Sequence, residues 1–315
     1  MMNKISLLFV LGLFLLAPLL FSGNMVVARW ISPELPPLTL AFARWLIAAL
    51  VIFPFILSPL RRAAPTLRRR GKDVALLVLL GGVLSVAPQY AAAHHTSAGH
   101  IALLFSLSPI MVSVIERVVW RIPLHANFFV GASIAMLGIC VVVFEGDVTH
   151  LLQLKFNQGD IIAFIASTAW AGYTALLRQR PIAVSTFVLL WIIAIGSSVI
   201  LLPFLPLEWR MTHATPELSA HLLYAILFLA LVAGVAAYSV YSRIVRLLGA
   251  ARASTSMYLV PVYAFILSSV FLQEQLRLYH LTATALVLLG VTLTTMRSMP
   301  HLKFHAARAI EHRTH

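Results

Sequence analysis

The sequence predicts an all-α integral membrane protein, with ten transmembrane helices arranged as two inverted five-helix repeats. Three observations lead to this prediction. First, the 315-residue chain is 61% hydrophobic and only 10% charged, with a mean hydropathy of +0.94. Soluble domains carry about 25% charged residues, so this chain cannot cover a surface that faces water. Second, apolar stretches long enough to cross a bilayer recur along the chain. Third, the later stretches repeat the pattern of the earlier ones.

Each candidate span holds roughly 20 mostly apolar residues, which fits a hydrocarbon core about 30 Å thick. The ten spans lie at about 5–28, 35–58, 74–93, 98–117, 124–144, 160–178, 183–206, 218–241, 250–272 and 278–297. The first also resembles a signal peptide. Its apolar stretch is long for one, and FSGN lacks a small-x-small cleavage site, so a retained helix is the preferred interpretation.

The net charge of +13 fits either nucleic-acid binding or the positive-inside rule. On a ten-span path with an inside N-terminus, 18 of the 23 Lys and Arg residues fall inside. Four fall outside, at Arg29, Lys155, Arg210 and Arg277, and Arg44 lies within span two. This asymmetry predicts cytoplasmic termini and argues against a nucleic-acid partner. The run RRAAPTLRRRGK is expected to form an inner loop that contacts anionic membrane lipids.

An offset of 152 residues reveals an internal repeat. It pairs Gly82 with Gly234, Leu107 with Leu259, Pro109 with Pro261, and Gly138 with Gly290. Nearer the start of each half, an offset of 149 pairs Asn24 with Tyr173 and Arg29 with Arg178. The predicted repeats are 1–150 and 155–297, followed by a cytoplasmic tail at 298–315. Because five spans is an odd number, the second repeat must insert upside down, as in many secondary transporters.

Pro109 and Pro261 interrupt matched spans, four and nine. Proline lacks an N–H and clashes with the preceding turn, so it frees backbone carbonyls at membrane depth. Such backbone needs protein, polar side chains or a water-filled cavity to satisfy it. Either the prolines make plain kinks, or the pair marks a translocation path.

The motifs resemble a known family. SGNMVVAR, PPLTLAFARW, TSAGHIALLFSLSPI, GDIIAFIASTAWAGYTALLR and GAARASTSMYLVPVYAFILSSVFLQEQL follow one another with the repeat spacing. In this respect the chain is similar to the ten-span transporters of the drug/metabolite transporter superfamily that contain two EamA-type domains. The resemblance implies a secondary carrier, often an exporter of amino acids or other small metabolites, with a cavity that opens alternately to each side. The chain departs from the family at Phe21, where tryptophan is common, and at Ile122, where the second half has Glu274.

Arg44 is the sharpest single candidate, because an arginine within a span costs several kcal/mol unless it pairs, snorkels or meets water. It either holds a substrate carboxylate or lines the outer gate, or it snorkels outward or binds backbone carbonyls. Asn24 and Gln89 are neutral polar residues that either bind a zwitterion or join two helices. Aromatic rings in the second half either pack or line the cavity; they are Trp170, Tyr173, Tyr238, Tyr258 and Tyr263.

His94, His95 and His100 bracket the short outer turn between spans three and four. They are candidates for proton coupling, since histidine titrates near pH 6.5; the alternative is ordinary interfacial histidines in a wet turn. The HHxxxxH spacing matches no standard metal site. Glu116 and Asp160 fall at span ends, so a carboxylate relay is not favoured.

No HExxH, GxSxG, phosphate loop or paired carboxylates at depth point to catalysis, and no cofactor or metal is predicted. The expected function is a secondary active exporter of small metabolites such as amino acids, working by alternating access in the inner membrane. It would act as a monomer or homodimer. A non-transporting scaffold or channel-like subunit is the alternative.

Overall fold

The computed structural model describes residues 4–124, 126–147, 157–212, 219–248 and 256–296, and within these ranges every regular element is helical. We number ten helical segments α1 to α10. They are α1 Lys4–Ile31, α2 Pro37–Arg69, α3 Gly71–Ala92, α4 Ala98–Trp120, α5 Ala126–Val143, α6 Gln158–Gln179, α7 Thr186–Thr212, α8 from Ala220 to Leu248, α9 Met257–Phe271 and α10 Leu278–Met296. Eight of these described helices are long and apolar enough to cross a membrane, and α9 and α10 are shorter apolar helices. The all-helical membrane fold is confirmed.

Helix α2 corrects one expectation from the sequence. The run RRAAPTLRRRGK was expected to be a loop, but α2 continues through Pro59 and Pro65 to Arg69. Arg68 and Arg69 lie in the last turn, where cations interact favourably with the helix dipole. Arg61, Arg62, Arg68 and Arg69 are exposed at this end, so we expect it to project into water. Water can satisfy the carbonyls that the prolines free, so the helix does not have to stop. The tail at 298–315 lies outside the described residues.

The 152-residue offset found in the sequence also relates backbone irregularities. Both α3 and α8 contain a π-helical segment, Val78–Leu84 and Phe228–Ala236. Before each interrupting proline, Leu107 and Leu259 adopt nearly the same conformation, with φ of −74° and −78° and ψ of −9° and −13°. Arg121 and Gln273, which follow α4 and α9, are both left-handed, with φ of 59° and 56°. The repeat is therefore present in backbone geometry as well as in residue type.

Contacts at the helix ends show that the second repeat starts on the face opposite to the first. The end of α1 reaches the α3–α4 turn, where the Arg29 guanidinium donates to the Ala93 carbonyl. The start of α6 reaches the same turn, where Asn157 Nδ2 donates to the His95 carbonyl over 3.1 Å. Helix α6 thus begins where α1 ends. We call this the predicted outer face, after the charge distribution, and the opposite side the predicted inner face.

The two interrupted helices satisfy their freed carbonyls in different ways. In α4, the missing N–H of Pro109 leaves the Phe105 carbonyl without its helical donor, and the Ser108 hydroxyl donates to it instead. In α9, a 3₁₀ turn at Met257–Leu259 lets the Val260 N–H donate to the Met257 carbonyl, the group that Pro261 would otherwise strand. Ser22 of α1 lies 2.9 Å from the Val260 carbonyl and ties the second break to the first repeat.

Glycine allows α5 and α10 to pack with their backbones in contact. Gly138 faces α10 so closely that a Cβ there would lie 2.8 Å from Val287 and 2.9 Å from the Ala283 carbonyl. At Gly290, a Cβ would collide with backbone atoms of Gly131 and Ala135. Small residues at such contacts are typical of membrane helix pairs, where close van der Waals packing drives association.

We expect Gly290→Ala to destabilise the protein. The added methyl group meets backbone, which cannot rotate away, and overpacking of this kind costs about 1–3 kcal/mol. The measurement is the thermal midpoint in detergent, followed by size-exclusion chromatography. Gly12→Ala is the matched control, since a Cβ there has no neighbour within 4 Å. An unchanged midpoint for Gly290→Ala would show that the α5–α10 contact does not depend on this glycine.

Candidate substrate site

Arg44 of α2 is buried between helices of both repeats, with 3% of its surface exposed. Neither of the structural alternatives drawn from the sequence holds, because it does not snorkel and its described bonds are to side chains. Its Nη1 donates to Asn24 Oδ1 over 3.2 Å and to the Tyr90 hydroxyl over 2.7 Å. Tyr90 in turn donates to Asn24 Oδ1 over 3.0 Å. Residues of α1, α2 and α3 therefore fix this end of the guanidinium.

Two aromatic rings also contact the Arg44 guanidinium. The guanidinium carbon lies 4.8 Å from the centre of the Trp45 ring and 5.9 Å from the centre of the Tyr90 ring. Desolvated cation–π contacts of this type contribute about 2 kcal/mol. Trp45 is itself held by a 2.9 Å hydrogen bond from Nε1 to the carbonyl of Gly82, within the π segment of α3. The widened π turn thus helps to position the cation.

The other edge of the guanidinium faces the second repeat. A Cβ on Gly234 of α8 would lie 3.9 Å from both Nε and Nη2 of Arg44, so this edge points toward a position without a side chain. Among the described residues, Arg44 Nε has no hydrogen-bond partner, and neither does the buried Nε2 of Gln89. The Nε–Nη2 edge is the fork that binds carboxylates through two parallel hydrogen bonds. Arg44 therefore presents a buried donor that lacks an acceptor; Gln89 is a second such donor on α3, and the described contacts do not join it to the Arg44 cluster.

A row of aromatic rings extends from this region across both repeats. Trp170 lies 5.1 Å from Tyr173 and 6.3 Å from Tyr238, which lies 5.6 Å from Phe21 of α1. Tyr173 packs against Gly81, next to the Gly82 carbonyl to which Trp45 donates. The structure thus brings together Asn24, Arg44, Trp170, Tyr173 and Tyr238 from the predicted set. Phe21, which departs from the family's usual tryptophan, supplies a ring at the same place.

The remaining predicted residues lie around the helix breaks. Tyr258, three residues before Pro261, packs against the buried cluster that contains Leu107 of α4 and Val260 of α9, so the two interrupted helices share one apolar core. Tyr263 is half-buried one turn further along α9. The described contacts do not join Tyr263 to the Arg44 cluster.

Two ion pairs, one at each face, join one repeat to the other. At the predicted outer face, Arg29 Nε at the end of α1 lies 3.6 Å from Glu274, which follows α9. At the predicted inner face, Arg178 near the end of α6 lies 3.5 Å from Glu116 near the end of α4. The first span of each repeat thus pairs with the fourth span of the other. Glu116 supplies the carboxylate that Ile122 does not.

Glu208 of α7 is a contact that the sequence analysis missed. Helix α2 begins with two prolines and has no side-chain cap of its own, so Glu208 caps it from the other repeat. Its carboxylate accepts from the backbone N–H groups of Leu38 and Thr39 over 2.7 and 2.8 Å. Proline is common at the first position of a helix, so the start of α2 is readable, but the sequence does not reveal that the capping carboxylate lies 169 positions away.

The three predicted histidines separate into two environments. His94 and His95 lie in the α3–α4 turn with ring centres 6.4 Å apart. Burial lowers the pKa of His94, and the charges of His95 and Arg29 lower it further. His100 instead lies in the first turn of α4, where it is 7% exposed and contacts Asp160 and His280. Asp160 is at a span end as expected, but it is buried, and the sequence analysis overlooked His280.

A cavity of about 380 Å³ opens at the predicted outer face. Its wall includes Arg29, His100, Glu274 and His280. Arg44 is not part of this wall. This cavity, which we call the outer vestibule, therefore does not include the buried Arg44 cluster.

Comparisons with known proteins agree with this architecture. The EamA-like transporter family matches residues 8–144 and again residues 157–296. The chain belongs to the EamA-like transporter family. Both halves carry the family's domain, which confirms the resemblance seen in the sequence. It is a multi-pass membrane protein of a transporter family.

Several curated relatives of this EamA-like chain are similar over most of their length. The uncharacterized transporter YyaM of Bacillus subtilis is 22% identical over 270 residues, covering 84% of this chain and 86% of that protein. An uncharacterized transporter of Archaeoglobus fulgidus is 24% identical over 285 residues, covering 90% and 96%. The uncharacterized inner membrane transporter YedA of Escherichia coli is 25% identical over 268 residues, covering 83% and 82%. A solved crystal structure has a TM-score of 0.60 at 16% identity, covers 90% of this chain and 96% of that chain, and supports the fold.

Tyr90→Phe tests the Arg44 cluster in this EamA-like transporter. Removal of the hydroxyl takes an acceptor from a buried guanidinium, so we expect a loss of about 1–3 kcal/mol in stability. The thermal midpoint in detergent measures it. Tyr224→Phe is the matched control, because that ring is 72% exposed. Equal midpoints for the two variants would contradict the importance of the Tyr90–Arg44 bond.

Proposed function

We propose that this protein is a secondary active transporter that exports small carboxylate-bearing metabolites, amino acids foremost, by alternating access. The family and its named relatives support transport in general. The substrate class, the direction and the mechanism are the proposal. It places the protein in the inner membrane with cytoplasmic termini, in agreement with the excess of Lys and Arg on the predicted inner side.

The orientation of Arg44 is the observation that carries the substrate class. Its bidentate edge faces Gly234, and its Nε has no partner among the described residues. A buried donor without an acceptor costs about 1–3 kcal/mol, more for a charged group, so an incoming carboxylate recovers free energy here. Gln89 offers a second donor, and the neighbouring rings provide an apolar surface for a side chain. This combination suits an amphipathic zwitterion better than a phosphate or a sugar.

The two inter-repeat ion pairs support alternating access. Arg29–Glu274 and Arg178–Glu116 occupy equivalent places on opposite faces. When both are formed, the Arg44 cluster between them is closed, which corresponds to an occluded state. Partly exposed ion pairs are worth only about 0–1 kcal/mol, so either can break without a large barrier. Opening of one pair at a time exposes the cluster to one side.

Counterflow in proteoliposomes distinguishes this function from its alternatives. A carrier exchanges external labelled amino acids for internal unlabelled ones, and trans substrate accelerates its flux. A channel-like subunit gives flux that neither saturates nor responds to trans substrate. A scaffold gives no flux, and an intramembrane enzyme gives a chemically altered product. Absence of counterflow with a radiolabelled mixture of the standard amino acids would reject the proposed substrate class.

We expect Arg44→Ala to abolish counterflow and Arg44→Lys to reduce it about tenfold or more. Lysine keeps the charge but lacks the planar fork, so it cannot bind a carboxylate in the bidentate manner. Thermal midpoints and size-exclusion profiles check that each variant is folded. Arg210→Ala, which removes an exposed arginine from the predicted outer side, is the control. Wild-type counterflow in Arg44→Lys would show that the fork does not bind the substrate.

Cross-linking tests the two ion pairs as alternating gates. Arg29→Cys with Glu274→Cys, and Arg178→Cys with Glu116→Cys, place thiols at the outer and inner pairs in a Cys140→Ser background. A short thiol-reactive bifunctional reagent with a reducible linkage should stop counterflow in each double variant, and a reductant should restore it. The matching single-cysteine variants are the controls. Unchanged flux after complete cross-linking of either pair would contradict the gating role.

A further inference from the structure

Three buried titratable side chains form a continuous chain beneath the outer vestibule. His100 Nδ1 lies 3.4 Å from Asp160 Oδ1, and His100 Nε2 lies 3.3 Å from His280 Nε2. Asp160 also accepts a 2.6 Å hydrogen bond from the Thr96 hydroxyl. His100 belongs to the first repeat, whereas Asp160 and His280 belong to the second. The cluster therefore bridges the two repeats.

Local sequence places all three in first turns of helices. The Ser97 hydroxyl accepts from the His100 N–H and starts α4, and Asn157 Oδ1 accepts from the Gly159 N–H and starts α6. Gly99 lets Phe265 of α9 pack directly on α4, and the Phe265 ring lies 5.0 Å from the ring of His280. These contacts hold the three titratable side chains from several helices.

The hydrogen-bond partners determine which nitrogen carries each proton. The backbone N–H of Arg277 donates to His280 Nδ1 over 3.0 Å, so this nitrogen is unprotonated. A neutral His280 then carries its proton on Nε2 and donates it to His100 Nε2. His100 must therefore carry its own proton on Nδ1, which points at the Asp160 carboxylate. All bonds run in one direction, from His280 through His100 to Asp160.

Asp160 is the last member of this row of hydrogen bonds, and its carboxylate can still accept a proton. It is 4% exposed, and its Oδ2 is buried with no hydrogen-bond partner among the described residues. The vestibule reaches His100 and His280, while Asp160 lies behind them. Among the described residues no cluster has the arrangement of a metal site, so the chemistry favours a proton over a metal ion.

Charged and titratable groups from each neighbouring element surround the three titratable side chains. They are Arg29 at the end of α1, His95 in the α3–α4 turn, Glu145 after α5, Glu274 and Arg277 before α10, and Tyr279 beside His280. Positive and negative groups are mixed around the vestibule, so no single charge dominates the chain. Water in the vestibule can deliver a proton to the histidines.

We propose that His280, His100 and Asp160 form a proton-binding relay that couples proton entry from the outer vestibule to transport. A proton from vestibule water binds His280 Nδ1, the His280 Nε2 proton passes to His100 Nε2, and the His100 Nδ1 proton passes to Asp160. One proton enters, both histidines exchange tautomers, and Asp160 becomes neutral. The coupling to substrate rests on the proposed transport function, whereas the proton site does not.

The relay acts on the outer gate through its entry atom. Once His280 Nδ1 carries a proton it can no longer accept from the Arg277 N–H, and the two donors face each other. That bond holds the turn between α9 and α10, which also carries Glu274, the partner of Arg29. Arrival of a proton therefore loosens the segment that closes the predicted outer face.

Flux measurements on the full chain in proteoliposomes test the coupling, with a radiolabelled mixture of the standard amino acids as probe. In the wild type, an acidic lumen should drive accumulation, since protons leave as substrate enters. Asp160→Asn and His280→Gln should reduce accumulation about tenfold or more and retain counterflow, which requires no net proton movement. Glu34→Gln is the control, because Glu34 forms an exposed carboxylate–histidine pair with His221 at the same face. The coupling would be overturned if both relay variants accumulated substrate as the wild type does, or if they lost counterflow as well as accumulation. It would also be overturned if the wild-type protein showed counterflow but no accumulation.

An infrared titration of the purified protein tests the proton site without any substrate. Acidification of the wild type should produce the carbonyl band of a buried carboxylic acid. Because Glu116 and Glu208 are also buried, the Asp160 component is the part of this band that Asp160→Asn removes. That component should be present in Glu34→Gln and shifted in midpoint in His280→Gln. If the wild type shows no counterflow, the proposed function fails and this titration alone decides the proton site. A band that is missing in the wild type, or whose intensity is unchanged in Asp160→Asn, would overturn it.

Discussion

Inside a hydrocarbon core, every backbone or side-chain polar group has to find its partner within the protein, and most features of this structure follow from that constraint. Pro109 strands the Phe105 carbonyl, and the Ser108 hydroxyl binds it; Pro261 strands the Met257 carbonyl, and a 3₁₀ turn binds it. The π segment of α3 leaves a carbonyl at Gly82 that Trp45 occupies. The first two irregularities are thus satisfied within their own helices, whereas the third joins α3 to α2 and helps to hold Arg44 in place.

The two repeats place their ion-pair carboxylates at equivalent positions in space but not at equivalent positions in the sequence. The outer carboxylate, Glu274, stands directly after α9, whereas the inner one, Glu116, lies within α4. A strict 152-residue comparison assigns the inner position to Ile122, which cannot form an ion pair. The long side chains of Arg178 and Glu116 bridge the difference. Equivalent ion pairs can therefore arise on both faces without equivalent residues.

Much of the fold could be predicted from the sequence because it depends on features that recur along the chain. Apolar length gives the spans, and the spacing of Pro109 from Pro261 gives the repeat. The extent of α2 was not readable, since a basic, proline-containing run predicts a loop unless water is known to surround the helix end. In the site, Arg44 and Asn24 stood out as polar residues within spans. Tyr90, Glu208 and His280 did not, because their roles depend on partners more than 45 positions away along the chain.

The π segments of α3 and α8 have a mechanical consequence. A π turn holds one more residue than an α turn, and this surplus can migrate along a helix without unfolding it. If the surplus moves past a given residue, that residue turns about the helix axis by roughly 100°, the angle of one α-helical step. Tyr90 follows the segment in α3, and Gly234 lies within the one in α8. Each repeat thus contains, beside Arg44, a segment at which part of a helix can rotate about its own axis while the ends of the helix stay in place.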